Sequence, residues 1–326
     1  MQSQRLWIDG RLDAADEIDT RELADRLRSR LGDDDSFAWI DLTRDSTGTL
    51  SALAAALDVH ALAVEDALNV RERQKVTRFE SHVLFRAANV TLDEASVLRS
   101  SALAAIITHN VVITVRDDDF PIHTVHERLE GNAELARGGT GFVVWGILDV
   151  VVDNVMDVLE VLDARTEQLS TLLFEQPEAQ EKLQQEAFGL RRALSRLRHV
   201  TVPMRDMVSS LGRRDTLVVA QGLQPYLADV FDHAIHAAEW IDSLRDDIDT
   251  VLETNIALQG NRMNDTMKKV TSWAAIVAVP TLITGFFGQN LLFWGLETAW
   301  GAWLSVGLIL TSSLLLFLLF RRRDWL

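Results

Sequence analysis

The hydrophobic pattern changes period twice along this chain, and each period predicts a different structure. Toward the C-terminal end, Val270 to Phe320 contains one ionisable side chain, Glu297. That stretch divides into two apolar runs, 270–290 and 302–320, joined by a short loop, 291–301. The second run is 19 residues without a charge, enough to cross about 30 Å of hydrocarbon. In the first run, steps of three and four place Asn264, Met267, Thr271, Ala274, Ala278, Thr281, Gly285 and Gly288 on one helical face. The other faces carry Trp273, Ile276, Val277, Leu282, Ile283, Phe286 and Phe287. Small and hydroxyl residues toward partner helices, with bulky ones toward lipid, is the pattern of a packed transmembrane helix. The run ends in Gly288-Gln289-Asn290, polar groups at membrane depth that point to water or ions. Lys268 and Lys269 before the first run, and Arg321 to Arg323 after the second, predict both termini in the cytoplasm.

Before the membrane runs the pattern is mixed. Residues 1–138 alternate strand-like and helix-like segments and read as an α/β domain with a mixed sheet. Phe37–Leu42 and His82–Val90 read as strands, and Ser51–Leu57 and Ala61–Leu68 as short helices. Leu103–Thr108 and Val111–Val115 read as a hairpin around His109-Asn110, with Asn tolerating a positive φ. A helix is predicted over Ile122–Ala136, closed by Gly138-Gly139. From 139 to 269 the period becomes helical. Val144, Ile147, Leu148, Val151, Val155, Val158 and Leu159 begin one long helix. A second runs from about Ala179 to Leu211, with a break or bend near Pro203. A third opens on Pro225, which a first helical turn tolerates, and meets no breaker before Pro280 except Gly260. Continued through Phe287, it would be about 90–95 Å long. That length predicts a stalk bundled with copies of itself.

Composition narrows the function. The net charge of −16 argues against nucleic acid as a partner and suits attraction of cations. The absence of cysteine removes disulfides, thiolate metal sites and cysteine nucleophiles. The N-terminal residues lack the apolar core of a signal peptide, so targeting falls to the C-terminal spans. His123 with His126, and His233 with His236, stand at chelating spacing, yet no third ligand is in register, so solvated pairs are expected. Glu65 and Asp66 have no nucleophile or phosphate-loop motif beside them and read as surface or capping carboxylates. No enzyme is expected, and no cofactor.

An acidic region followed by two final spans, the first closing in Gly288-Gln289-Asn290, resembles the CorA family of divalent-cation channels, whose signature is Gly-Met-Asn. Pro280-Thr281-Leu282, the segment His60 to Asn69, and Arg73-Gln74-Lys75 are similar to the family as well. The resemblance implies a funnel-shaped homopentamer in the cell membrane, its first span lining a pore for magnesium. It implies polar pore rings at Asn264 and Thr281, a hydrophobic constriction at Met267, and a filter at Gly288, Gln289 and Asn290. It also implies a regulatory cation site at Asp229, for which Asp93 or Glu94 of a neighbouring copy is a candidate partner. Each has a plainer alternative: a helix cap for Gly288 and Asn290, helix packing for Thr281, a solvated helix face for Asp229. Gln289 departs from the family's Met, which opens zinc, cobalt or nickel as substrates. A tail-anchored metal-sensing module or enzyme is the rival from another class.

Overall fold

The computed structural model describes residues 3–8, 10–16, 36–69, 74–93, 97–175, 179–214, 222–289 and 299–326. The strands are β1 (Ser3–Ile8), β2 (Arg11–Asp16), β3 (Ser36–Thr43), β4 (Val76–Arg78), β5 (Val83–Leu92), β6 (Leu98–Ile107) and β7 (Val111–Arg116). They form one seven-stranded sheet in the order β2-β1-β3-β7-β6-β5-β4. Only β3 and β7 pair in parallel; the other pairs are antiparallel. The sheet is therefore mixed, as the sequence pattern predicts.

The central strands are buried on both faces because helices cover both. On one face, Ala38, Ile40, Leu42, Ile113 and Val115 pack with Leu50 and Leu53 of α1 (Thr47–Ala56) and Ala63 and Ala67 of α2 (Ala61–Leu68). The alternate residues of β3 face the other way, where Trp39 meets the ring of His126 on α3 (Ile122–Gly131) edge to face at 4.9 Å. This face also carries a buried polar network. Trp39 donates to the Thr114 hydroxyl (3.0 Å), which donates to Asp41 (2.7 Å), and Arg116 Nε donates to the same carboxylate (2.9 Å). Burial raises the pKa of Asp41, and Arg116 opposes that shift.

Two expectations need correction here. Neither His109 nor Asn110 has a positive φ. The Thr108 amide and hydroxyl both bond Val111, and the Asn110 carbonyl accepts from Ala38 of β3, so the sheet itself holds the turn. The helix expected over Ile122–Ala136 ends at Gly131, and a 3-10 turn, Ala133–Gly138, follows. Asn132 breaks it by turning its amide back onto the Arg128 carbonyl (2.8 Å).

The long helices are α4 (Thr140–Glu175), α5 (Gln180–Arg214) and α6 (Gln224–Phe287). α5 is a single helix with Pro203 inside it rather than two pieces. α6 has Pro225 in its first turn and passes Gly260 and Pro280 unbroken. The chain divides into two compact units, 1–249 and 250–326, and α6 belongs to both.

In the second unit, α6 and α7 (Ala299–Arg322) are each long and apolar enough to cross a membrane. α7 ends in a Schellman cap. Asp324 takes φ 54°, its amide bonds the Arg321 carbonyl (3.3 Å), and the Trp325 amide bonds that of Phe320 (2.9 Å). The Trp325 ring then stacks on Phe320 at 5.7 Å, supplying the apolar contact that accompanies such caps.

Candidate ion-conducting site

The face of α6 from Asn264 to Gly288 is open along its whole length. Asn264, Met267, Thr271, Ala274, Ala278, Thr281, Gly285 and Gly288 are all exposed in the single chain, Met267 to 64%. Ser272, Ile276, Val279, Ile283 and Phe287 lie on the shielded side, Ser272 completely. This refines the bulky set that the sequence assigns to lipid. Trp273, Val277, Leu282 and Phe286 are exposed, whereas Ile276, Ile283 and Phe287 share the shielded stripe.

The open face carries one hydroxyl whose hydrogen is already engaged, that of Thr281. The Thr281 hydroxyl donates to the Val277 carbonyl one turn back (2.9 Å), which spends its hydrogen and leaves oxygen lone pairs outward. On the shielded side, Pro280 has no amide hydrogen, so the Ile276 carbonyl lacks its usual helical donor. Gly288 is outside the left-handed region, against the simplest form of a glycine cap. A Cβ there would lie a tight 3.0 Å from the Thr284 carbonyl oxygen. The Gly288 amide bonds that same oxygen at 2.9 Å, so the close approach belongs to the helix end. Gln289 is exposed, and its amide bonds the Phe286 carbonyl at 3.3 Å. Asn290 lies outside the described residues.

Asp229 sits near the start of α6, 65% exposed, with His233 Nδ1 3.7 Å from its carboxylate. Across from it, α4 presents Asp149 and Asp153, both paired to Arg128 of α3. Burial pushes the Asp149 carboxyl up to about 6; Arg128 opposes this, while the charges of Asp153 and Asp229 add to it. The sequence reading missed Asp149 because it sits inside an apolar helix pattern and betrays itself only by position. Asp93 stands elsewhere, in the turn between β5 and β6, accepting from the Val97 amide (2.8 Å) and Arg99 (3.1 Å). Glu94 lies outside the described residues.

Among the described residues no three carboxylates or imidazoles gather around a point that would hold a metal. His233, His123 and His236 are exposed, as expected of solvated side chains. His126 departs from that expectation: burial against Trp39 lowers its pKa to about 4. Asp66 is paired with Lys75 at 2.9 Å and Glu65 is exposed.

Fold and site together define a membrane protein in which a mixed α/β domain is followed by a 64-residue helix and a second apolar helix. Residues 34–322 match the model of the CorA-like Mg2+ transporter protein family, and the chain belongs to that family. The cobalt/magnesium transport protein CorA of Thermotoga maritima is 28% identical over 293 residues, covering 88% of this chain and 83% of that one. The complete CorA magnesium transporter of Methanocaldococcus jannaschii superposes with a TM-score of 0.75 at 20% identity, covering 100% of this chain and 99% of that one. The ZntB cytoplasmic domain of Vibrio parahaemolyticus superposes at 0.56 and 11% identity, covering 69% of this chain and 88% of its own. The family is one of divalent-cation transporters, so the rival of a tail-anchored enzyme is set aside.

Proposed function

We propose that this chain forms a homopentameric channel for divalent cations, with magnesium its principal substrate, and that α6 lines the pore. The observation that carries the reading is the open face of α6: small, hydroxyl and amide residues, exposed in the single chain, leading to Gly288-Gln289-Asn290. An apolar helix with an exposed small-residue seam needs partner helices, and further copies of α6 supply them. Magnesium gives up water reluctantly and is held through the waters it keeps. A ring of Asn290 amide oxygens attracts such a hydrated ion without trapping it, as carboxylates would. Asn264 and Thr281 form further polar rings, and with Ala278 small, closure by dewetting rests on Met267, Val270 or Val277. Lys268, Lys269 and Arg321 to Arg323 favour cytoplasmic termini in the cell membrane. Inside-negative potential then drives entry with about 2.3 kcal/mol per charge per 100 mV.

Asp229 is proposed as the regulatory cation ligand, its partner supplied by a neighbouring copy; its exposure leaves the carboxylate available. Asp93 is poorly suited to be that partner, since Val97 and Arg99 already engage it. Gln289 gives the second reading, transport of zinc, cobalt or nickel, because an amide there adds a polar group where the family has Met. Flux into proteoliposomes tests both readings. Magnesium entry that excess cobalt, nickel and zinc compete only weakly supports the first, and preferred zinc or cobalt entry supports the second. No flux of any divalent cation contradicts the channel. Asp229→Ala should keep conducting at millimolar magnesium that closes the wild type; unchanged closure removes Asp229 from the regulatory site.

A further inference from the structure

A half-open groove of about 640 Å³ lies where α4 and α5 meet the start of β6, far along the chain from the pore face. Its charged lining is Arg165 of α4 with Arg192, Arg196 and Glu186 of α5, a local excess of cations in a chain of net charge −16. Other arginines of α5 are paired: Arg191 with Asp249 (3.1 Å), Arg198 with Asp242 (2.8 Å) and Arg205 with Asp206 (2.9 Å). Arg192 and Arg196, one turn apart, have no ion pair or side-chain hydrogen bond among the described residues. Glu186 is drawn toward Lys182 on its own helix, at 3.8 Å. The accessible apolar lining is Val97, 48% exposed, and the half-buried Leu98, over the buried Leu162 and Leu190. Gly189 lies on the exposed face of α5 at the edge of this space, where a Cβ would meet nothing within 4 Å. Glycine inside a helix weakens it relative to alanine, and no close packing requires it here.

We propose that this groove binds a soluble nucleoside polyphosphate. Guanidinium groups grip phosphate oxygens in pairs, and two of them one helical turn apart match neighbouring phosphates. Val97 and Leu98 give the ring of the ligand an apolar surface, and the volume is that of a small-molecule site.

The test is calorimetric titration of the full-length chain in detergent micelles with EDTA present, so that metal binding by the ligand does not contribute. ATP, pyrophosphate and adenosine are compared. The proposal expects ATP to bind, pyrophosphate to bind at least tenfold more weakly and adenosine not to bind. It expects Arg192→Gln/Arg196→Gln to weaken ATP at least tenfold. Gly189→Leu should do the same by filling open space, with the melting temperature kept. Equal affinity for pyrophosphate and ATP would overturn the nucleoside assignment. Absence of ATP binding, or binding undiminished in both variants, would overturn the site. Neither result depends on ion flux, so it stands apart from the channel reading.

Discussion

The two units of the chain satisfy their apolar residues in opposite ways. In the first, Trp39, Phe85, Ile106 and Ile113 are fully buried by the chain's own sheet and helices. Even its charges have partners inside, as Asp41 does in Arg116. In the second, Leu282 is 74% and Trp303 75% exposed, and the seam of α6 is open throughout. A chain in water cannot leave that much apolar surface bare. The difference teaches that the core of the first unit closes within one copy. The second is completed by lipid on its bulky faces and, in the reading proposed above, by other copies along its seam.

The largest effect is expected from breaking the first unit from within. Arg116→Ala leaves the Asp41 carboxylate buried without its cation, which costs about 3–5 kcal/mol. The thermal midpoint read by tryptophan fluorescence should fall sharply; a midpoint within a degree of wild type would show that the network does not hold the sheet. The matching change in the second unit is Gly285→Leu. A side chain there meets nothing within 4 Å in the single chain, so the fold should survive. If the seam faces other copies, magnesium flux should fall at least about 100-fold, roughly 2.7 kcal/mol. Unaltered flux would show that the face is not packed.

A smaller effect separates two buried groups of the first unit. Burial holds Asp149 protonated up to about 6, above its ordinary 3.8, so the folded chain binds this proton more tightly. Its contribution is present below about pH 4 and is lost as pH rises through about 6. His126 runs the other way: held down to about 4 from 6.5, it contributes above 6.5 and loses that contribution as pH falls. The two slopes oppose each other over the same window. Asp149→Asn should therefore make stability fall more steeply with acid than in wild type, by about 1–2 kcal/mol after solvent screening. Parallel melting curves from pH 4 to 7 would contradict the assignment.

The smallest effect is expected at Gln289. Gln289 lies just past the end of α6, exposed, where the family has Met, an adaptable apolar filler and a poor ligand for hard magnesium. Gln289→Met should change maximal magnesium flux within about tenfold, or about 1.4 kcal/mol, and keep the order of cation preference. Reversal of magnesium against zinc or cobalt would place Gln289 in contact with the ion.

The sequence carried the two spans, the unbroken α6 and the mixed sheet because each has a long or strongly periodic signal. Pro225 and Gly260 gave the correct reading of α6, since one is tolerated at a helix start and the other in exposed helix. β1 and β2 went unread, although Asp9-Gly10 between short apolar runs is a hairpin signal. β4, three residues long, is too short to show a period. The end of α3 depended on the Asn132 side chain finding a carbonyl. At the site, spacing placed Asn264 to Gly288 on one face of α6, and the single chain leaves those residues exposed. The opposition of Asp149 to Asp229 was not legible, because it joins two helices whose rotation the sequence does not specify.

The central claim is that the amide ring at Asn290 selects the ion. Magnesium flux into proteoliposomes of Asn290→Ala, with the oligomer confirmed by size-exclusion chromatography, tests it most directly. Loss of flux from an intact oligomer is the predicted result. Wild-type flux from that oligomer would contradict it.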